Sequence, residues 1–229
     1  MVVTVSEGVW CIDCQTLDQP NAFIVEDDEL TLVDAGWPGD VATVERGLQA
    51  AGFEPADIDR VLLTHYDADH VGTLSKLAGL DAPLHIHGAE APILAGEELP
   101  PWRARHGIEV LHRLYYRRLT LPDLPIRALD DGDTIGGFTA IHTPGHTPGH
   151  TAYIHEGLSA VFLGDLAYGL NDDLHASGWL TSFNTREVQE SIHALLEHTL
   201  PHYVRVPRPR SGSQGRTRSP PGTPRRLNR

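Results

Sequence analysis

The sequence predicts a single α+β domain in which two mixed β-sheets lie between helices. Three observations predict it. Short apolar segments bounded by turn residues alternate with helical patterns along the chain. The 229 residues suffice for one domain with a sizeable buried core. Hydrophobic residues make up 40% and charged residues 21% of the chain, which is an ordinary globular composition.

The first half of the chain is predicted to combine four strands with two helices. The strands are expected at residues 21–26, 30–34, 59–64 and 83–87, where short apolar runs are bounded by turn residues. A helical pattern after Gly39 runs through Ala50 and is closed by Gly52. A second helix is predicted from about His70 to Leu77.

The second half is predicted to add a helical cover and a second group of strands. Residues 97–125 have a mixed pattern that indicates helix and that places aromatic side chains where they can cover a site. Strands return at 139–142, 151–155 and 160–163, and a last helix is predicted from about Thr185 to His198.

Charge is unevenly distributed. The formal net charge is −13, yet all 31 acidic residues precede Pro201, and the eight charged residues after it are all arginines. Lys76 is the single lysine. An acidic, lysine-poor surface stays soluble at high salt, which favours a halophilic source over an ordinary acidic protein. Such a body repels phosphate backbones, so a small molecule is the expected partner rather than nucleic acid.

The sequence also limits the location of the protein. No apolar run approaches the roughly 20 residues that a membrane-spanning helix needs. The first ten residues show no basic stretch followed by a long apolar segment. We therefore expect a cytoplasmic protein with no membrane partner, while its oligomeric state is left open. Cys11 and Cys14 cannot form a disulfide framework and are expected to be structural.

The densest group of potential metal ligands directly follows a predicted strand. His65, Asp67, Asp69 and His70 fall within six residues. In an extended turn, His65 and Asp67 can point to one side, while Asp69 and His70 reach a second point. This spacing suits two cations a few ångströms apart.

Two further segments offer ligands. Residues 142–150 read His-Thr-Pro-Gly-His-Thr-Pro-Gly-His, an uncharged loop whose two Pro-Gly turns can present imidazole rigidly. Residues 162–165 read Phe-Leu-Gly-Asp, an apolar strand that ends in Asp165. A carboxylate at the mouth of a strand has two oxygens and can bridge two metal ions.

The order of these motifs resembles the metallo-β-lactamase-fold hydrolases, especially their glyoxalase II-like and lactonase-like branches. The resemblance extends from about residue 8 to 206, and it is carried by residues 21–25, 32–36, 64–72, 142–150 and 162–165. It implies an αββα sandwich with metal ions at the open edge of the sheets. It also implies a hydrolase in which a metal-bound hydroxide attacks a carbonyl group.

The resemblance implies roles for individual residues. It implies that the cofactor is zinc, with two ions. His65, Asp67 and His146 would bind the first ion, Asp69 and His70 the second, and Asp165 would bridge them. Asp69 would also orient the nucleophile as the catalytic residue. Asp34 and His150 would support the ligands without touching the metal.

One departure from the family concerns Asp67, where the usual pattern has histidine. The first site then has two histidines and one carboxylate, which shifts its preference toward iron or manganese. A persulfide dioxygenase branch of this fold uses mononuclear iron. The sequence therefore predicts a metal-dependent hydrolase of a small ester, thioester or lactone, with an iron-dependent sulfur dioxygenase as the alternative.

A second departure concerns the C-terminus. The family supplies a last histidine from a Pro-Gly-His-Gly turn, but no histidine follows His202. One DNA string that encodes Pro-Arg-Pro-Arg at 207–210 reads Pro-Gly-His-Gly when shifted by one base. We therefore divide the chain into a domain at 1–206 and a disordered basic tail at 207–229, which is either frameshifted or genuine. A third reading is a degraded homologue that binds one metal weakly.

Overall fold

The computed structural model describes residues 2–14, 20–101, 108–170 and 173–198. Residues 207–229, the predicted basic tail to which the frameshift hypothesis applies, lie outside these ranges. In the described ranges, the first sheet has seven strands in chain order, antiparallel from β1 to β4 and parallel from β4 to β7. They are β1 (Val2–Ser6), β2 (Val9–Asp13), β3 (Asn21–Glu26), β4 (Leu30–Val33), β5 (Arg60–Leu62), β6 (Leu84–His87) and β7 (Ile126–Leu129).

The second sheet is antiparallel, and its four strands in the described chain have the order β11-β10-β9-β8. They are β8 (Thr134–Ile135), β9 (Phe138–His142), β10 (Thr151–His155) and β11 (Ala160–Phe162). A separate hairpin pairs β12 (Ala167–Leu170) with β13 (Asp173–Ala176). The helices of the described ranges are α1 (Val41–Ala51), α2 (Ala68–Val71), α3 (Ala91–Leu94), α4 (Ile108–Tyr116) and α5 (Thr185–Glu197).

Three buried hydrophobic clusters among the described residues separate four layers. The first joins β-strands of the first sheet to α1 and contains Leu32 and Leu48. The second joins the two sheets and contains Val33 and Phe138. The third joins the second sheet to α5 and contains Val188. The predicted αββα sandwich is therefore confirmed.

The two longer helices have clear end signals. Gly52 closes α1 with φ of 97°, a left-handed conformation that glycine adopts without steric cost. Asn184 begins α5, because its side chain accepts hydrogen bonds from the backbone N–H groups of Arg186 and Glu187. In the described part of the chain, no helix is both long enough and apolar enough to span a membrane.

The helix predicted from His70 to Leu77 does not form as one element. α2 ends at Val71, and a separate 3₁₀ turn spans Leu74–Lys76. The backbone of this segment pairs instead with the loop after β4, since the carbonyl of His70 accepts from the N–H of Ala35 at 2.8 Å. A Cβ at Gly72 would lie 2.2 Å from Cδ of Pro38, so this close approach requires glycine.

A cluster of charged groups joins the two sheets at the start of β5. The guanidinium of Arg60 is buried and donates to the carboxylates of Asp27 and Glu29, with an Nη2–Oδ1 distance of 3.0 Å to Asp27. Its Nε donates to Oγ1 of Thr31 at 2.7 Å. Asp27 also contacts Nε2 of His155, on β10 in the second sheet, at 3.0 Å. Arg60 therefore holds a carboxylate that is shared by both sheets.

We expect the substitution Arg60→Ala to lower the free energy of unfolding by about 3 kcal/mol, because it leaves the largely buried Asp27 carboxylate without its guanidinium. Urea denaturation measures this change. The control is Arg186→Ala, which removes an exposed pair with Glu190 and should cost less than about 0.5 kcal/mol. Equal losses in the two variants would contradict the prediction.

Candidate metal centre

The predicted ligands converge where strands of both sheets end. His65 lies three residues beyond β5 of the first sheet, and Asp165 lies three residues beyond β11 of the second. His146 comes from the loop between β9 and β10. The fold thus brings together three segments that are far apart in sequence.

A first group of side-chain atoms contains two imidazoles and two carboxylates. Oδ2 of Asp67 lies 3.5 Å from Nε2 of His65 and 3.4 Å from Nε2 of His146. Oδ2 of Asp165 lies 3.6 Å from the same His146 nitrogen. His65, Asp67 and His146 are all buried.

A second group lies on the other side of Asp165. Nε2 of His70 is 3.3 Å from Oδ1 of Asp165 and 3.6 Å from Oδ2 of Asp69. The two oxygens of Asp165 therefore face different groups. All six residues that the sequence suggested as metal ligands lie in these two groups.

The donor set fits metal ions in both spacing and chemistry. Bonds of about 2.1 Å in a tetrahedral site separate ligand atoms by about 3.4 Å, close to the distances within each group. The Nε2 atoms of His65 and His70 are buried and make no hydrogen bond with any described residue. Buried polar atoms are rarely left so, and these two aim at carboxylates that could share an ion with them.

Asp34 contacts His70 of the second group at the ring nitrogen that does not face Asp69 and Asp165. Its Oδ1 accepts the backbone N–H of Thr64 at 2.9 Å, and its Oδ2 accepts the Thr64 hydroxyl at 2.8 Å. The same Oδ2 lies 2.9 Å from Nδ1 of His70. With the His70 proton on Nδ1, the Nε2 lone pair faces Asp69 and Asp165. Asp34 has φ of 54°, a left-handed conformation that aspartate tolerates better than most residues.

His150 supports Asp165. Its Nδ1 lies 2.9 Å from the hydroxyl oxygen of Thr143, and its Nε2 accepts the backbone N–H of Asp165 at 3.1 Å. Both ring nitrogens therefore contact protein atoms. The sequence placed Asp34 and His150 behind the ligands, and the structure locates both side chains there.

Glu90 is a contributor that the sequence did not suggest. This buried side chain accepts the backbone N–H of Tyr66 at 2.9 Å through Oε2 and that of Gly149 at 2.8 Å through Oε1. Tyr66 lies between the candidate ligands His65 and Asp67, and Gly149 lies in the loop that carries His146. Glu90 therefore clamps two ligand-bearing loops together. The sequence around it contains no motif that would have identified it.

A serine was also missed. The hydroxyl of Ser177, just after β13, lies 3.2 Å from Nδ1 of His146. This contact orients the His146 ring so that Nε2 points to the carboxylates. A serine in a polar loop is too common to be singled out from sequence.

The electrostatics of the site favour cations. Burial lowers the pKa of His65 to about 4, helped by the charge of His70. Burial also acts on His70, but Asp34, Asp69 and Asp165 outweigh it and hold the pKa of His70 well above its usual value. Carboxylates thus outnumber the cationic groups at this edge of the fold, and metal ions would balance them.

The pKa values of the acidic residues in the site shift in opposite directions. Burial raises the pKa of Asp69 to about 6, and the carboxylates of Asp165 and Asp67 add to the rise against the effect of His70. Burial opposes ionisation of Asp165 too, but His70 and His146 hold its pKa well below the usual value. Burial raises the pKa of Glu90 to about 7.

Imidazoles and carboxylates from segments of both sheets meet at one edge of the fold. The αββα layers and this set of donor atoms together indicate a metal-binding protein. A family model described as the metallo-beta-lactamase superfamily matches residues 15–207. The chain therefore belongs to the metallo-β-lactamase superfamily, and the prediction of a hydrolase of this superfamily is confirmed.

Individual relatives agree with this assignment. The probable metallo-hydrolase YqgX of Bacillus subtilis (strain 168) is 30% identical over 192 residues, which cover 80% of this chain and 82% of the relative. A hydroxyacylglutathione hydrolase of Aeromonas hydrophila is 34% identical over 135 residues, or 57% of this chain and 41% of the relative. The crystal structure of TTHA1623 in a di-iron-bound form is 27% identical with a TM-score of 0.62, covering 85% of this chain and 91% of that one.

These findings confirm a metal-binding protein of this superfamily. The choice of zinc, the substrate, the halophilic source, the cytoplasmic location and the division at residue 206 stay predictions.

We expect Glu90→Gln to weaken metal binding about tenfold, because an amide nitrogen cannot accept one of the two loop N–H groups. Competition with a chromophoric chelator measures the affinity. The control Glu97→Gln changes an exposed carboxylate and should leave the affinity unchanged. If Glu90→Gln lowered only the free energy of unfolding and left the metal affinity intact, the clamp would have no role in metal binding.

Proposed function

We propose that this chain is a metal-dependent hydrolase of a small ester, thioester or lactone. The observation that carries the proposal is the position of Asp165, whose two oxygens face His146 at 3.6 Å and His70 at 3.3 Å. One carboxylate between two groups of ligand atoms suits two ions a few ångströms apart, as in two-metal hydrolases.

We assign the ligands as the two groups divide them. His65, Asp67 and His146 would hold the first ion, Asp69 and His70 would hold the second, and Asp165, which faces both groups, would serve both ions. Imidazole with carboxylate is a common zinc donor set, so we propose two zinc ions. Bound ions of this kind supply Lewis acidity and lower the pKa of water to near neutrality.

Side chains of the protein would orient the attacking water and fix the candidate ligands. Asp69 would orient the attacking water and accept its proton. Asp34 and Ser177 fix the rings of His70 and His146, and His150 fixes the backbone of Asp165. Rigid support of this kind matters because small misplacements of catalytic groups reduce rates strongly.

A second candidate function is iron-dependent oxidation of a sulfur substrate. It is favoured by Oδ2 of Asp67, which forms a two-histidine, one-carboxylate set with His65 and His146. Against it, Asp165 lies within reach of the same group, and a second ligand group lies beside it. A mononuclear oxygenase site needs open positions, so the geometry favours the hydrolase.

The first experiment is elemental mass spectrometry of the protein purified in high salt without chelator. Two zinc ions per chain are expected. One iron ion per chain, together with oxygen uptake on a persulfide, would replace the hydrolase with the sulfur dioxygenase. One weakly held ion and no turnover would support a degraded homologue.

We expect the metal-loaded protein to hydrolyse at least one of three probes: an aryl ester, a lactone and an acyl-glutathione thioester. The thioester is included because a relative is named as a hydroxyacylglutathione hydrolase. Removal of metal by a chelator should abolish hydrolysis, and added zinc should restore it. A protein with two ions that hydrolyses none of the three would overturn the proposed substrate class.

The substitution Asp69→Asn should lower kcat at least about 100-fold, because an amide cannot accept the proton of the attacking water. Steady-state kinetics at fixed metal content measures it. Asp81→Asn, which changes an exposed carboxylate, serves as the control and should leave kcat unchanged. Unaltered kcat in Asp69→Asn at full metal loading would remove Asp69 from the catalytic role.

A further inference from the structure

Helix α4 carries an imidazole to the far side of Asp67. Nε2 of His112 lies 3.7 Å from Oδ1 of Asp67, and the His112 side chain is 12% exposed. The other oxygen, Oδ2, faces His65 and His146 at 3.5 and 3.4 Å. The two oxygens of this one carboxylate thus face different partners.

Aromatic packing fixes the position of His112. Its ring stacks on Tyr66 with centroids 5.8 Å apart and an interplanar angle of 22°. It also meets Tyr116, one turn further along α4, edge to face at 5.8 Å. Tyr66 and Tyr116 are both buried and pack against each other at 5.9 Å. His112 therefore belongs to a packed three-ring cluster and does not sample solvent freely.

The position of His112 matters because a carboxylate ligand has two oxygens. A ligand imidazole offers one lone pair, so its geometry is set once its ring is fixed. A carboxylate offers two oxygens and can bind an ion through either or both. A donor held at one oxygen leaves the other as the single ligand atom.

We propose that His112 is a positioning residue for Asp67. Nε2 of His112 lies 3.7 Å from Oδ1, just beyond hydrogen-bond distance. With the proton on Nε2, an approach of about 0.5 Å would let His112 donate to Oδ1, which would leave Oδ2 for the first ion beside His65 and His146. This inference rests on the proposed metal site. Aspartate at position 67 needs a partner for its second oxygen. A histidine at this position would offer one lone pair and would need no such partner.

The test compares metal binding in variants of His112. His112→Phe keeps a ring in the cluster but removes the donor, and we expect affinity at the first site to fall at least tenfold. The visible spectrum of the Co²⁺-loaded protein should change as well. His112→Gln retains an N–H donor and should recover part of the affinity. The control His193→Phe changes an exposed histidine on α5 and should have no effect.

A double-mutant cycle separates positioning from general stability. In an Asp67→His background, the further substitution His112→Phe should change the affinity less than twofold, because the second oxygen is gone. Equal losses in both backgrounds, or no loss in the native background, would overturn the inference. A native protein that binds no metal would instead overturn the proposed function, so the two failures are distinguishable.

Discussion

Buried carboxylates that accept backbone N–H groups hold the site together, and the positions of the candidate metal ligands depend on them. Asp34 accepts from Thr64 and ties the end of β4 to the loop after β5. Glu90 accepts from Tyr66 and Gly149 and ties that loop to the loop between β9 and β10. A buried carboxylate without such partners would be costly, so the loops are fixed at the positions where these bonds form.

The αββα layers explain why the candidate ligands come from separate segments. His65 follows a strand of the first sheet, while His146 and Asp165 follow strands of the second. The core between the sheets, which includes Val33 and Phe138, brings these strand ends to a common edge. At the opposite end of β5, Arg60 and Asp27 join the same two sheets through charge. The distance between the candidate metal ligands is therefore set by how the sheets pack.

Much of the fold could be predicted because local patterns are strong. The strands at 21–26 and 151–155 were predicted with the bounds that the structure gives, and Gly52 ends α1 as its position indicated. The predicted helix at 70–77 was wrong, because its backbone groups bond to Ala35 and Gly36 from a distant loop. Periodicity records the environment of side chains, and it contains no information on such long-range backbone pairing.

The sequence by itself determined which residue types are available and in what order, and so the superfamily and the six candidate ligands. Their spacing within one turn or one loop is a local property. Only the tertiary structure decided which atoms meet: Glu90 with Gly149, Ser177 with His146, and His112 with Asp67. These pairs are separated by 31 to 59 residues, and they form because packed sheets and helices bring distant segments together.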